Sequence, residues 1–306
     1  MSSASPLDYL GMRTSQDNAY TYISMRVYIL GAIKLLGFQD LRPVSTPINQ
    51  QIDGESPALD SFEIRMCLTA VGILGWFVNT CRPDLAYTHS RIAQHMSKAT
   101  ESMMAAIKRA FAYLLGTLDL GIAAPLYTEN PELWKFYTDS DFAGNDEPQN
   151  RRRSQNGYVA MFNGAPVLWG SKVSSVAFAH PLIEEAHPDI SSGAAEIYAA
   201  SNATYEFLHL SYVAEEMGIP FPLPFELNMD NAAAQAFAEN TTFKSKLKHI
   251  DCRQEWVQTL RNKKIVTPVH CPSKDNLADL FTKVLPAYDS IRLRDQMMVT
   301  VPQDDG

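Results

Sequence analysis

Leu133-Trp-Lys-Phe-Tyr-Thr-Asp139-Ser-Asp141-Phe-Ala-Gly144 is the stretch from which the rest of the chain can be read. Leu133–Thr138 is apolar and aromatic, suits a half-buried strand, and runs straight into an acid. Working outward, further strands are expected at Gly157–Phe162, Pro166–Ser171, Phe225–Met229 and Ile265–His270. A long helix is expected from about Ala194 to Met217, stopped by Gly218 and Pro220. A short Ala-rich helix at Asn231–Glu239, a basic helix near His249–Arg261 and a closing helix near Asn276–Leu285 complete the set. Three strands, helix, strand, helices, strand, helix is an α/β pattern with a mixed sheet.

Three more acids stand in equally distinct contexts. They are Glu196 in Ser191-Ser-Gly-Ala-Ala-Glu196, Asp230 in Leu227-Asn-Met-Asp230-Asn231, and Asp279 in Asn276-Leu-Ala-Asp279-Leu-Phe-Thr-Lys283. Asp139 and Asp230 end strands, whereas Glu196 and Asp279 lie on helices. Four acids brought together from separate elements repel one another unless cations sit between them, and oxygen ligands of this kind suit hard divalent metals. Taken singly, each acid has a plainer use. Asp139 or Asp141 can cap a loop, Glu196 can favour the positive end of its helix, Asp230 can cap the helix after it, and Asp279 can face solvent. Only their joint order favours a site.

The chain has 306 residues, 46% hydrophobic and 20% charged, which suits a globular protein of two ordinary domains. Its four cysteines form no CxxC pair, which argues against a zinc or redox motif and for reduced thiols inside a cell. The start, Met-Ser-Ser-Ala-Ser-Pro-Leu-Asp8, lacks the basic and apolar regions of a secretory signal. Met66–Val78, the most apolar stretch, is shorter than the roughly 20 residues that cross a bilayer and reads as a buried helix. A net charge of −8 argues against nucleic acid only until its distribution is considered. Phe243–Lys264 carries seven Lys and Arg against two acids, and Arg151, Arg152 and Arg153 form a second cluster. A basic stripe beside an acidic pocket suits a phosphate backbone held across a metal site; a solvated helix face is the plainer alternative.

The region before Leu126 has a different texture. A short hairpin (Asp8–Arg13, Ala19–Ser24) leads into helices at about Met25–Leu36, Ser61–Asn79, Pro83–Ser97 and Glu101–Leu115, with Gly116–Gly121 ending the last. The expected division is 1–125, 126–288 and a tail at 289–306.

Residues 130–288 resemble the ribonuclease H domain at the end of copia-type retrotransposon polyproteins. The resemblance rests on Tyr137-Thr-Asp-Ser-Asp-Phe-Ala-Gly144, Arg152-Arg153-Ser154 with Gly157-Tyr158, and Trp169-Gly-Ser-Lys172. It continues through Ser191–Ile197, Asp230-Asn231, Lys248-His-Ile-Asp251 and Leu277-Ala-Asp-Leu-Phe-Thr-Lys283, in the family's order. Tyr9-Leu-Gly-Met12, Ser45-Thr-Pro-Ile48, Cys81-Arg-Pro-Asp-Leu-Ala-Tyr87 and Tyr113-Leu-Leu-Gly-Thr117 are similar to the last third of the same polyprotein's reverse transcriptase. The fold so implied is α/β: a ribonuclease H-like mixed five-stranded sheet flanked by helices, preceded by a mainly helical thumb and connection region with a short β-hairpin.

The resemblance implies a metal-dependent endonuclease that cuts the RNA strand of RNA–DNA hybrids. Two magnesium ions, with manganese as a substitute, would be held by Asp139, Glu196, Asp230 and Asp279. Arg152, Arg153, Asn231, Lys248, His249 and Arg253 would meet nucleic acid, and His270 would assist turnover, a core or surface histidine being its plainer reading. It further implies an upstream polymerase palm and fingers segment as partner, no membrane, a cytoplasmic virus-like particle or nuclear location, and no DNA synthesis by this polypeptide alone. Two departures stand out. Ala194 replaces a family Glu, and Val176–Asp189 runs about a dozen residues longer than the family's link, as surface loops tolerate. The His and Glu residues of that insertion (His180, Glu184, Glu185, His187) invite a metal reading, with a polar surface excursion as the plainer one. The insertion also motivates an alternative function, a catalytically silent scaffold or nucleic-acid-binding fragment of a degenerate element.

Overall fold

The computed structural model describes residues 6–126, 133–141, 153–177, 188–229 and 248–302, with the side chains of 175–177, 188–194, 248–252 and 254 left out of that description. It divides into two compact units. The first comprises Met1–Pro131, Asn163–Pro166 and Val284–Gly306; the second comprises Glu132–Phe162 and Val167–Lys283.

The second unit is built on strands β5 (Trp134–Asp141), β6 (Arg153–Phe162), β7 (Ala165–Ala177), β8 (Phe225–Met229) and β9 (Val266–His270). Their spatial order is β7-β6-β5-β8-β9. β5 pairs antiparallel with β6, Trp134 opposite Phe162 through Asp141 opposite Gln155. It pairs parallel with β8, and β8 parallel with β9. The sheet is therefore mixed and five-stranded, as the α/β reading requires. The β6–β7 turn is Asn163-Gly164, both at positive φ (52° and 82°), the two-residue geometry that suits the twist of a hairpin.

One face of this sheet is covered by α5 (Pro188–Glu216), which packs on β5 and β6 and against α6 (Lys248–Asn262). The core between them holds Phe136, Tyr158, Phe207, Phe225, Leu227, Val257 and Val266. Two of its ring pairs meet edge-on, Tyr158 with Phe207 at 5.9 Å and Phe207 with Phe225 at 6.1 Å, an arrangement the ring quadrupole favours. Instead of the closing helix expected at Asn276–Leu285, the chain makes a single 3-10 turn, Leu277–Phe281. The reason is local. The Asn276 side chain accepts from the Ala278 N–H at 3.1 Å and donates to the Thr138 carbonyl at 3.1 Å, so the turn is pinned onto β5. Gly157 on β6 makes the close approach on the other side: a Cβ there would lie 2.7 Å from Phe281 Cβ and 2.9 Å from the Ala278 carbonyl.

The first unit holds a second five-stranded sheet, order β1-β2-β3-β4-β10. Its strands are β1 (Leu7–Tyr9), β2 (Met12–Gln16), β3 (Tyr20–Ser24), β4 (Leu120–Pro125) and β10 (Val299–Thr300), all antiparallel. The short hairpin expected from the sequence is thus part of a larger sheet. Its expected first strand is broken at Leu10-Gly11, both at positive φ. The helices are α1 (Arg26–Leu35), α2 (Ser61–Thr80), α3 (Ala86–Gln94) and α4 (Glu101–Gly116). Asp60 and Glu63 cap α2 reciprocally. By length and composition α2 passes for a membrane-crossing helix, which the shorter Met66–Val78 run did not lead one to expect. It nevertheless buries Cys67, Ala70, Val71, Leu74, Phe77 and Val78 in the core of this unit.

The expected tail at 289–306 is corrected. Residues 284–302 return to the first unit as α7 (Ala287–Arg294) and β10, which pairs with β4 and buries Leu293, Met297, Met298 and Val301. That burial of apolar side chains explains the packing, whereas only the residues after it are uniformly polar or small.

Two landmark motifs of the first unit meet inside it. Arg82 is fully buried and binds Asp84 bidentately, Nε to Oδ1 at 2.9 Å and Nη2 to Oδ2 at 2.7 Å. It also donates to the Thr117 carbonyl at 3.1 Å and hydroxyl at 2.8 Å. Tyr113 donates to Asp84 at 2.7 Å, and its ring faces the guanidinium at 5.4 Å. The Cys81–Tyr87 and Tyr113–Thr117 motifs are therefore two halves of one buried ion-pair network.

Candidate active site

β5, β8 and β9 run parallel, so their C-terminal ends share one edge of the sheet, where ligands of α/β units gather. Asp139 stands near the end of β5, opposite Gly157, and is buried. Asp279 is carried to it by the pinned 3-10 turn and is also buried. The two carboxylates face a common cation: Lys283 Nζ lies 3.0 Å from Asp279 Oδ2 and 3.6 Å from Asp139 Oδ2. The Thr282 hydroxyl, at the end of the turn, donates to Asp139 Oδ2 and fixes that carboxylate's orientation.

The electrostatics of the pair are strained. Burial, and then the charge of Asp139, push the Asp279 carboxyl up to about 7, with Lys283 working against them. Burial works to lower the Lys283 pKa, but Asp139 and Asp279 outweigh it and hold the ammonium above its ordinary range. Asp279 Oδ1 is buried without an N–H or O–H donor, and its carboxyl faces that of Asp139 closely enough to share a proton. Buried polar atoms are nearly always satisfied, so an orphan of this kind calls for an explanation. Two acidic oxygen donors and an unpartnered buried carboxylate oxygen fit a hard divalent cation.

The remaining expected residues divide as follows. Glu196 is buried on α5, the helix that packs against β5. Asp230, Asn231 and Arg152 lie outside the described residues, as do His180, Glu184, Glu185 and His187 of the insertion. Lys248 and His249 open α6, and their side chains also lie outside the description. Among the described residues, no group of three or more His, Cys, Asp and Glu stands ready to hold a metal; the acids meet as the pair Asp139–Asp279. Arg153 opens β6, antiparallel to β5, and so stands at the edge where β5 ends. His270 ends β9 at that edge, exposed, opposite Met229.

Arg253 is engaged within the protein: its guanidinium donates to Asn202 at 2.6 Å and lies 4.1 Å over the Tyr198 ring, both on α5. A part-buried guanidinium so engaged joins two helices. Thr282 and Lys283 acquire their roles from the turn that brings them to Asp139. The signal was available, since Asp279 and Lys283 are four residues apart, an ion-pair spacing.

No family model matches the chain. It is 28% identical over 281 residues to the retrovirus-related Pol polyprotein from transposon RE1 of Arabidopsis thaliana, covering 90% of this chain and 18% of that protein. It is 24% identical over 294 residues to the corresponding polyprotein from transposon TNT 1-94 of Nicotiana tabacum, covering 90% and 20%. The chain thus spans 18–20% of the length of these curated relatives. Among solved structures, LC11-RNase H1, isolated from compost by a metagenomic approach, aligns over 49% of this chain and 93% of its own at 15% identity. Its TM-score of 0.32 is too low for the likeness to carry an argument.

Proposed function

This chain is a homologue of the retrovirus-related Pol polyproteins of transposons, and from that kinship we propose that its second unit is a copia-type ribonuclease H, a metal-dependent endonuclease cutting the RNA strand of RNA–DNA hybrids. The observation that carries the proposal is the meeting of Asp139 and Asp279 at the edge where the parallel strands end, one acid position left without a hydrogen-bond donor. Asp139, Glu196, Asp230 and Asp279 are the residues that would hold magnesium. When bound, the ions supply charge neutralisation at the phosphate and an acidified water.

The chain's own residues do the positioning. Thr282 orients the Asp139 carboxylate through its hydroxyl. Asn276 and the Gly157 contact hold the turn that delivers Asp279. Arg152, Arg153, Asn231, Lys248 and His249 would bind the phosphate backbone, and His270 would assist turnover from the end of β9. RNA would be distinguished by its 2′-hydroxyls and helix shape. The first unit would be the thumb and connection of the reverse transcriptase, with the palm and fingers as its partner.

Incubation of residues 1–306 with a labelled RNA–DNA hybrid tests the reading. Magnesium-dependent cleavage of the hybrid, sparing duplex DNA and lost in Asp139→Asn, is expected. Hybrid binding without cleavage at any magnesium or manganese concentration would overturn it and favour the silent-scaffold alternative.

A further inference from the structure

Lys283 has no part in the acid set proposed above, yet it occupies the position that a shared cation would take. Its ammonium bridges Asp279 at 3.0 Å and Asp139 at 3.6 Å, and its side chain is 36% exposed while the two acids are 7% and 9% exposed. The Lys283 side chain therefore reaches solvent to a degree that the two acids do not. The Lys283 Cα is fixed, because the pinned turn ends beside it: Lys283 N–H donates to the Asp279 carbonyl. Its side chain is a flexible four-carbon stem, free to re-aim while the backbone stays in place. An ammonium and a divalent ion seated on the same two carboxylates repel each other strongly in a partly buried site.

We propose that Lys283 is a resident counterion of the Asp139–Asp279 pair, and that a divalent cation loads by displacing its ammonium towards solvent. Lys283 is then a positioning residue. It keeps two like charges together before loading, sets the threshold of divalent-ion concentration at which the site fills, and leaves a positive charge at the rim once displaced. The inference deepens the nuclease reading and rests on its assignment of the acids as metal ligands. Asp141 also acts electrostatically on Lys283 and offers the displaced head group an acidic neighbour.

Calorimetric titration of magnesium and manganese into the full chain tests this without reference to cleavage. Lys283→Met is expected to bind the ion about tenfold or more tighter than wild type. Its melting temperature should be lower in chelator and rise more steeply with added magnesium. Lys283→Arg, which keeps the charge, should bind as weakly as wild type. Should Lys283→Met be unfolded in chelator, refolding by magnesium is the supporting result, and failure to refold at saturating ion overturns the proposal. Equal affinity in wild type and Lys283→Met overturns displacement and leaves the nuclease reading standing. No binding by either protein, with Asp139→Asn indistinguishable from them, overturns both.

Discussion

Each unit of this protein buries a cluster of charges, and the two clusters are built to opposite rules. In the first unit, Arg82 and Asp84 balance one another, all three guanidinium nitrogens donate, and Tyr113 and Thr117 complete the network. Arg82 itself is wholly inaccessible. In the second unit, two acids share one lysine, that lysine is partly exposed, and a carboxylate oxygen has no donor. A satisfied, neutral, sealed cluster is a fastening. An over-acidic, under-donated cluster with an exchangeable cation is a place for something to bind.

Arg82→Met should be the most damaging single change. It strands Asp84 as an uncompensated buried charge and should cost about 3–5 kcal/mol in denaturant unfolding, with no rescue by magnesium. Asp279→Asn should do the reverse, removing one of two facing acids. Hybrid cleavage is lost, yet the thermal midpoint in chelator stays level or rises; a sharp fall would place Asp279 among the fastenings instead. Next comes Thr282→Val. Loss of the hydroxyl that orients Asp139 should lower metal affinity or cleavage by roughly 10–100-fold, read by titration beside the assay. Gly157→Ala, which drives a Cβ into Phe281 and the Ala278 carbonyl, should cost about 1–3 kcal/mol through overpacking.

A further effect is one of pH. In the first unit, burial, and then the charge of Arg91, lower the His95 pKa to about 4. Its ordinary value is 6.5. Between these values the unfolded chain binds the proton and the folded one does not, so stability rises with pH there. The contribution is fully present above 6.5 and fades as pH falls towards 4. His95→Gln should flatten that part of the stability-against-pH curve, and an unchanged slope would remove His95 as its source.

Much of this was legible in the sequence, for identifiable reasons. The β5 run ending at Asp139, the Phe225–Met229 strand and the Gly218–Pro220 stop of α5 are signals within one element, and each appears where the local pattern put it. Residues that act across elements were less legible. β10 is two residues long and gains its identity by pairing with β4 across a long stretch of chain. The 276–285 segment has helical letters, but Asn276 spends its amide on Thr138 and stops the helix after one turn. A basic stripe does not reveal that the Arg253 guanidinium also rests on Asn202 and Tyr198. In the site, the acids were visible as motif letters, whereas the roles of Thr282 and Lys283 emerge only when the turn brings them to Asp139.

The Asp139–Asp279 pair is the proposed metal position on which the nuclease chemistry would turn. The most direct measurement is an anomalous difference map from crystals of the chain soaked in manganese. A peak within coordination distance of both carboxylates, with the Lys283 ammonium moved off them, is the predicted result. Crystals that show Lys283 still bridging the acids at saturating manganese, while the same protein cleaves hybrid in solution, would contradict it.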